Sequence, residues 1–215
     1  HQTYSACELV IIDDSPFVSK GFETFVNEIN NKHGNKVRYI RRVTNSKVAP
    51  PNRRSMKMSI GSKRNLAIRH SNGSLIAFWD DDDIHGPNRI RNQVRRMQRT
   101  QSDLCANGTH MYHVCAENTT YTLKDFPQMQ ERLWWRRILM PSVMFKRELW
   151  NTRTQFPDMF VAEDREFFRK ILRKKPSLRI DLWDGYPLGD FMYMIHQNNT
   201  AWSTLATNIM SGKAK

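Results

Sequence analysis

Residues 75–90, LIAFWDDDDIHGPNRI, set five apolar or aromatic side chains directly against four consecutive aspartates. A near-continuous apolar run of this length reads as a strand buried on both faces. Four carboxylates at its tip repel one another, so the knot Asp80–Asp83 needs a compensating partner. A second apolar run, ELVII at 8–12, also stops at acids, in Asp13-Asp14-Ser15-Pro16. In open α/β sheets, ligands bind in the crevice beyond the carboxyl ends of the strands. If both runs are parallel members of one sheet, Asp13, Asp14 and the aspartate knot converge there. Oxygen ligands so gathered select a hard divalent cation, Mg²⁺ or Mn²⁺. Along extended backbone Asp80 and Asp82 share one side, and Asp81 and Asp83 face the other. The blander alternative is a solvated acidic turn with one aspartate capping the next helix.

Strands and helices alternate around these two tips. A helix is expected after Pro16 through Phe22, Phe25, Val26 and Ile29, ending near Gly34, and KVRYI at 36–40 reads as a strand. The Pro-rich stretch 44–55 reads as a loop. Ser62–His70 is expected to be helical, as is the segment after Pro87 through Ile90, Val94 and Met97. Later, 109–116, 142–146 and 190–196 read as strands and 162–175 as a helix with Phe167, Phe168, Ile171 and Leu172 inward. Glu163 and Asp164 open that last helix, where negative charge favours the helix dipole. The alternation argues a parallel sheet covered on both faces.

The 215 residues suit a single domain. No apolar run approaches the ~20 residues that span a bilayer. Three cysteines without a close pair specify neither a zinc site nor a disulfide framework; a Cys105–Cys115 pair across a hairpin is a minor alternative. Sequons at Asn72, Asn107, Asn118 and Asn198 leave the compartment open. The net charge of +13 implies anionic partners. From Ile29 to Trp79 there are twelve Lys or Arg and no acid, and then the aspartates begin. A basic stretch abutting carboxylates fits a metal-bound polyphosphate better than a nucleic-acid groove, where the acids would repel the backbone.

Four segments in order, HQTYSACELVIIDDSP (1–16), GSKRNLAIRHSNGSLIAFWDDDDIHGPNRI (61–90), MPSVMFKRELW (140–150) and VAEDREFF (161–168), resemble glycosyltransferase family 2. The resemblance implies a GT-A fold: a Rossmann-like α/β architecture with a mostly parallel sheet flanked by helices. It implies an inverting enzyme that transfers sugar from a nucleotide-diphosphate sugar, a UDP-sugar above all, to a hydroxyl of a glycan, lipid-linked or protein acceptor. Asp14, with Asp13 beside it, would contact the base. Lys63, Arg64 and Asn65 would lie near the donor. Asp80 and Asp82 match the D-x-D pattern that holds Mn²⁺ or Mg²⁺, and Asp83 would share in it. Asp164 would be the catalytic base with Glu163 beside it. His196 would approach the metal or diphosphate, and Trp134 and Trp135 would stack on a sugar. By the same resemblance residues 1–100 would form the nucleotide-sugar half and 101–215 the acceptor half of one domain.

The chain departs from the family pattern at its start. At the family's spacing an opening strand is expected ahead of His1, and without it Leu9–Ile12 and Leu75–Trp79 would lack the strand between them. Unpaired buried backbone costs ~1–3 kcal/mol per group, so this fragment is expected to bind donor poorly on its own. A targeting or membrane segment could precede it. Other classes remain in view. Arg91, Arg95 and Arg99 form an i, i+4 stripe that a nucleic-acid-binding module would use, and clustered carboxylates also suit a two-metal nuclease. Nucleic-acid binding is not the expected function.

Overall fold

The computed structural model describes residues 2–15, 17, 20–34, 36–42, 58–108, 111–122, 138–184 and 187–196. The loop expected at 44–55, and with it Trp134, Trp135 and the sequon at Asn198, lies outside those residues. In chain order the elements are β1 (Leu9–Asp13), α1 (Lys20–His33), β2 (Val37–Arg41), α2 (Ile60–His70), β3 (Leu75–Ala77), β4 (Ile84–His85) and α3 (Arg89–Thr100). There follow β5 (Leu104–Asn107), β6 (Met111–Val114), β7 (Thr119–Thr122), β8 (Met144–Lys146), α4 (Glu163–Lys174), β9 (Ile180–Trp183) and β10 (Phe191–Ile195).

The strands form three sheets, ordered β1-β2, β3-β8-β5-β9 and β4-β10-β6-β7. The β1–β2, β5–β9 and β10–β6 pairs are parallel; the β3–β8, β5–β8, β10–β4 and β6–β7 pairs are antiparallel. The architecture is α/β, as the alternation of elements predicts, and the sheets are mixed. The two aspartate-tipped strands are not neighbours: β1 pairs with β2, and β3 pairs with β8. Helix α2 packs on β1 and joins them.

The central sheet, β3-β8-β5-β9, explains why β3 is apolar without a break and why β5 and β8 open on consecutive apolar residues. Ile76 and Phe78, Leu104 and Ala106, and Phe145 face one cluster, shared with Ile68 of α2 and Phe167, Phe168 and Ile171 of α4. The intervening Leu75, Ala77, Cys105 and Met144 face the opposite cluster with Val94 and Met97 of α3. β3, β5 and β8 therefore bury both faces, and period-two alternation disappears from their sequences. The stacked Phe156 and Phe167 rings, 3.9 Å apart at 16°, fill the α4 side. All three cysteines are free thiols, with Cys105 buried and Cys115 exposed.

Helix α2 starts where Ser59 Oγ accepts from Ser62 N at 3.1 Å, satisfying one of the N–H groups that a helix start leaves open. Its second residue has to be glycine. A Cβ on Gly61 would come within 1.8 Å of the Pro157 carbonyl oxygen, so backbone presses on backbone there. Gly61→Ala forces that approach apart, and overpacking of this kind costs ~1–3 kcal/mol. Denaturant unfolding should show the loss; an unchanged midpoint would mean that the 157–159 segment is not held against α2.

Candidate active site

The aspartate knot is a turn, not a continuation of β3. Asp83 N donates to Asp80 O at 3.4 Å, and the chain then enters β4. This corrects the expected alternation. Because the backbone folds back, Asp83 joins Asp80 and Asp82, and ligand oxygens of all three lie within 4.8 Å of one another. Asp83 Oδ1 accepts from Met194 N of β10 at 3.0 Å, whereas its buried Oδ2 has no hydrogen-bond partner among the described residues. His196, just past β10, places Nε2 3.1 Å from Asp82 Oδ2.

Burial pushes the Asp83 carboxyl up to about 7, with Asp80 and Asp82 adding to the shift and the Met194 N–H opposing it. Asp80 is raised as well: burial leads, Arg64 opposes, and Asp82 and Asp81 add to it. Three carboxylates within contact distance cannot all ionise without a counter-charge. An all-oxygen set with one buried oxygen lacking a partner fits a hard divalent cation.

Two arginines hold the knot from the protein side. Arg64, on α2, reaches Glu163 Oε1 at 2.5 Å and lies over the Phe78 and Phe156 rings at 5.1 and 5.8 Å. Arg89, at the start of α3, is fully buried, lies 5.1 Å over the Trp79 ring, and donates from Nη1 to His85 Nδ1 at 2.9 Å. Burial and the Arg89 charge lower the His85 pKa to about 3, so His85 is neutral, and the Trp79 ring lies against it at 3.9 Å with a 39° tilt. Gln93, one turn on, carries Arg89 Nε at 3.3 Å and ties to Ser142 O at 2.7 Å.

Sequence reading missed Arg89. It falls off the Arg91-Arg95-Arg99 stripe and onto the buried face with Gln93 and Met97, and that spacing is the signal that could have found it. Of the stripe itself, Arg95 and Arg99 are exposed and Arg91 bonds the Thr3 carbonyl.

The remaining expected residues gather around α2. Asp14 Oδ1 pairs with Lys63 Nζ at 3.2 Å, and its Oδ2 accepts from Met58 N at 3.0 Å. Lys63 and Arg64 are adjacent, so one helical turn connects the β1 tip to Glu163 of α4. Asp13 turns the other way, accepting from Ser15 N at 2.8 Å and bonding the Tyr39 hydroxyl, with Arg41 at 3.8 Å. Asn65 is buried, and its carboxamide is occupied within the chain: Oδ1 accepts from Trp150 Nε1 at 2.8 Å and Phe156 N at 3.0 Å, while Nδ2 donates to Phe156 O at 2.8 Å.

Glu163 and Asp164 form the first turn of α4, entered through Ala162 in the left-handed conformation at φ 63°. Glu163 is buried on Arg64; burial raises its pKa against the pull of that arginine. Asp164 is half-exposed and accepts from Arg165 N at 2.7 Å. Tyr193 of β10 lies in the field of Asp83, Asp82, Asp80 and Asp164 together, which with burial raises its pKa.

A model of glycosyl transferase family 2 matches residues 1–177. The chain is 25% identical over 147 residues to the O-antigen biosynthesis glycosyltransferase WbnJ of Escherichia coli, covering 66% of this chain and 56% of that protein. Among solved structures, S. aureus TarS in complex with UDP-GlcNAc superposes with a TM-score of 0.63 at 17% identity, covering 94% of this chain and 54% of TarS. The UDP complex of TarS gives 0.62 at 16% identity, covering 90% and 53%. These neighbours are GT-A glycosyltransferases and establish the fold. The chain spans about half the length of the relatives it matches.

Asp83 gives the stability a defined pH dependence. Its folded pKa, about 7, lies above the ordinary 3.8, so the native state binds this proton more tightly than the unfolded chain does. The penalty is absent near pH 3, grows between about pH 4 and 7, and is constant above that. In metal-free solution Asp83→Asn should therefore stabilise the fold by on the order of 2 kcal/mol at pH 8 and by almost nothing near pH 3. Denaturant midpoints at the two pH values measure this; an equal difference at both would contradict it.

Proposed function

The chain belongs to glycosyl transferase family 2, and from that membership we propose that it is an inverting transferase that moves a sugar from a nucleotide-diphosphate donor, a UDP-sugar, to an acceptor hydroxyl. The observation that carries this reading is the gathering of Asp80, Asp82 and Asp83 within 4.8 Å of one another, with Arg64 linking that side of α2 to Glu163, the residue before Asp164. The complexes of TarS with UDP and UDP-GlcNAc support the choice of donor class.

In this reading residues 1–100 supply the donor side and the later half supplies the base and the acceptor side. Asp14 receives the nucleotide, oriented by Lys63 and the Met58 N–H. Asp80, Asp82 and Asp83 would hold Mn²⁺ or Mg²⁺, with His196 behind Asp82. When bound, that ion supplies Lewis-acid stabilisation to the diphosphate. Lys63 and Arg64 add fixed positive charge on the same side. Asp164 accepts the proton of the acceptor hydroxyl as that oxygen bonds to the anomeric carbon. The bond from that carbon to the diphosphate oxygen breaks, the nucleoside diphosphate leaves with the electron pair, and the single displacement inverts the centre. Glu163, locked to Arg64, orients the first turn of α4. Asn65 acts at one remove, clamping 150–156 onto α2.

Asp164→Asn keeps the side chain's shape and removes its basicity. In the full-length protein it should lower transfer by about 10²–10⁴-fold while donor affinity stays within about threefold. Transfer at close to the wild-type rate would remove Asp164 from the base role. The screen is a panel of UDP-sugars with Mn²⁺, read as released UDP.

A further inference from the structure

The strand starts, at the end of the molecule away from the aspartate knot, gather basic side chains. Helices α1, α2, α3 and α4 finish where β2, β3, β5 and β9 begin. Contacts tie those starts together. Lys36 Nζ donates to Ser5 O at 3.0 Å, and Arg38 Nη1 bonds His70 O at the close of α2. Glu8, just before β1, accepts from Gly73 N at 2.8 Å, just before β3. Arg147 N donates to Ser74 O at 2.8 Å. Asp103, just before β5, takes Lys146 at 2.8 Å, Lys175 at 3.2 Å and Arg179 N at 3.2 Å.

The acids of this end are already occupied. Asp103 is buried under two lysines, Glu8 is held by the N–H groups of residues 72 and 73, and Glu148 lies 3.9 Å from Lys175. Lys32, Lys36, Arg69, Arg99, Lys174 and Arg179 are exposed, and none of them forms an ion pair among the described residues. The helix dipole favours a cation in a last turn, which accounts singly for Lys32, Arg69, Arg99 and Lys174. It does not account for Lys36 and Arg179, which stand just ahead of β2 and β9. Like charges gathered on one end repel one another, and an anionic surface relieves the repulsion.

The arrangement favours a bilayer over a nucleic acid. Single-stranded nucleic acid is held in a groove on stacked aromatic rings. These cations are spread over the ends of four helices and the starts of two strands. Among the described residues no exposed aromatic ring stands in the last turn of these helices or at the start of these strands. An anionic bilayer needs neither groove nor rings, only several cations within a Debye length of its surface.

We propose that this end of the molecule docks on an anionic lipid bilayer through Lys32, Lys36, Arg69, Arg99, Lys174 and Arg179. Asp14 and the aspartate knot follow the other ends of β1 and β3, so a docked molecule turns them away from the lipid and toward water. The attachment is electrostatic and independent of the transfer chemistry proposed above.

The test is co-sedimentation of the full-length protein with vesicles of phosphatidylcholine, alone or with about a third phosphatidylglycerol. Wild type should bind the anionic vesicles at least about tenfold more tightly, and that preference should shrink about tenfold between about 0.1 and 0.5 M salt. Lys174→Gln with Arg179→Gln should weaken binding about tenfold, and so should Lys32→Gln with Arg69→Gln, with denaturant midpoints close to wild type. Lys20→Gln with Arg165→Gln removes the same charge from the first turns of α1 and α4. Those positions lie about 13–18 Å back along the helices, beyond the screening length, so binding should change by about twofold or less. Equal binding to the two kinds of vesicle overturns the proposal, as does unchanged binding in both variants at this end. An equal loss in all three variants also overturns it, since net charge alone would then explain the binding. Release from the vesicles by an equimolar oligonucleotide, single-stranded or duplex, would assign this end to nucleic acid instead.

Discussion

Mutual repulsion among Asp80, Asp82 and Asp83 is the constraint to which this structure answers. Carboxylate oxygens within 4.8 Å of one another, partly buried, are an unfavourable arrangement in isolation. Exposure relieves it only at Asp82. The protein turns the backbone so that Asp83 comes inward, gives one oxygen the Met194 N–H, and leaves the other without a hydrogen-bond partner among the described residues. It surrounds the knot with two immobilised guanidinium groups, Arg64 on its phenylalanine rings and Arg89 on Trp79. The fixed cations lessen the repulsion, and the set of oxygens left over has the chemistry of a divalent-cation site.

Helix α2 transmits this arrangement to the rest of the molecule. Lys63 faces the tip of β1, Arg64 faces Glu163 at the start of α4, and Asn65 points into the core to hold the approach to α4. Three consecutive residues thus set three parts of the site. The glycine two residues before Lys63 allows the close contact that keeps 157–159 in register with them. This organisation explains how two strands in different sheets can serve one site: a helix laid across them does the alignment.

Much of this was legible in the sequence, and the failures have physical causes. The apolar runs of β1, β3, β8 and β10 and the periodicity of α1, α3 and α4 mark their elements, because burial imposes the pattern directly. The strands β4, β5, β7 and β9 did not register. β4 has two residues, β5 is only LCAN and ends in a polar Asn before Gly108, and β7 and β9 carry mixed polar residues at the sheet edges. The mixed pairing of the sheets was also hidden, since strand direction leaves no trace in composition. Alternation groups Asp80 with Asp82 and sets Asp83 apart, and it fails at the turn that brings Asp83 to them; only the family resemblance groups all three. Arg89 was masked by the three arginines around it.

The central claim is that Asp80, Asp82 and Asp83 share one hard cation. Calorimetric titration of Mn²⁺ into the chelator-treated protein at pH 8 tests it most directly. The account predicts one ion per chain, displaceable by Mg²⁺, and an affinity at least about tenfold weaker in Asp82→Asn, the fold being intact. No binding heat, or a binding curve unchanged by that substitution, would contradict it.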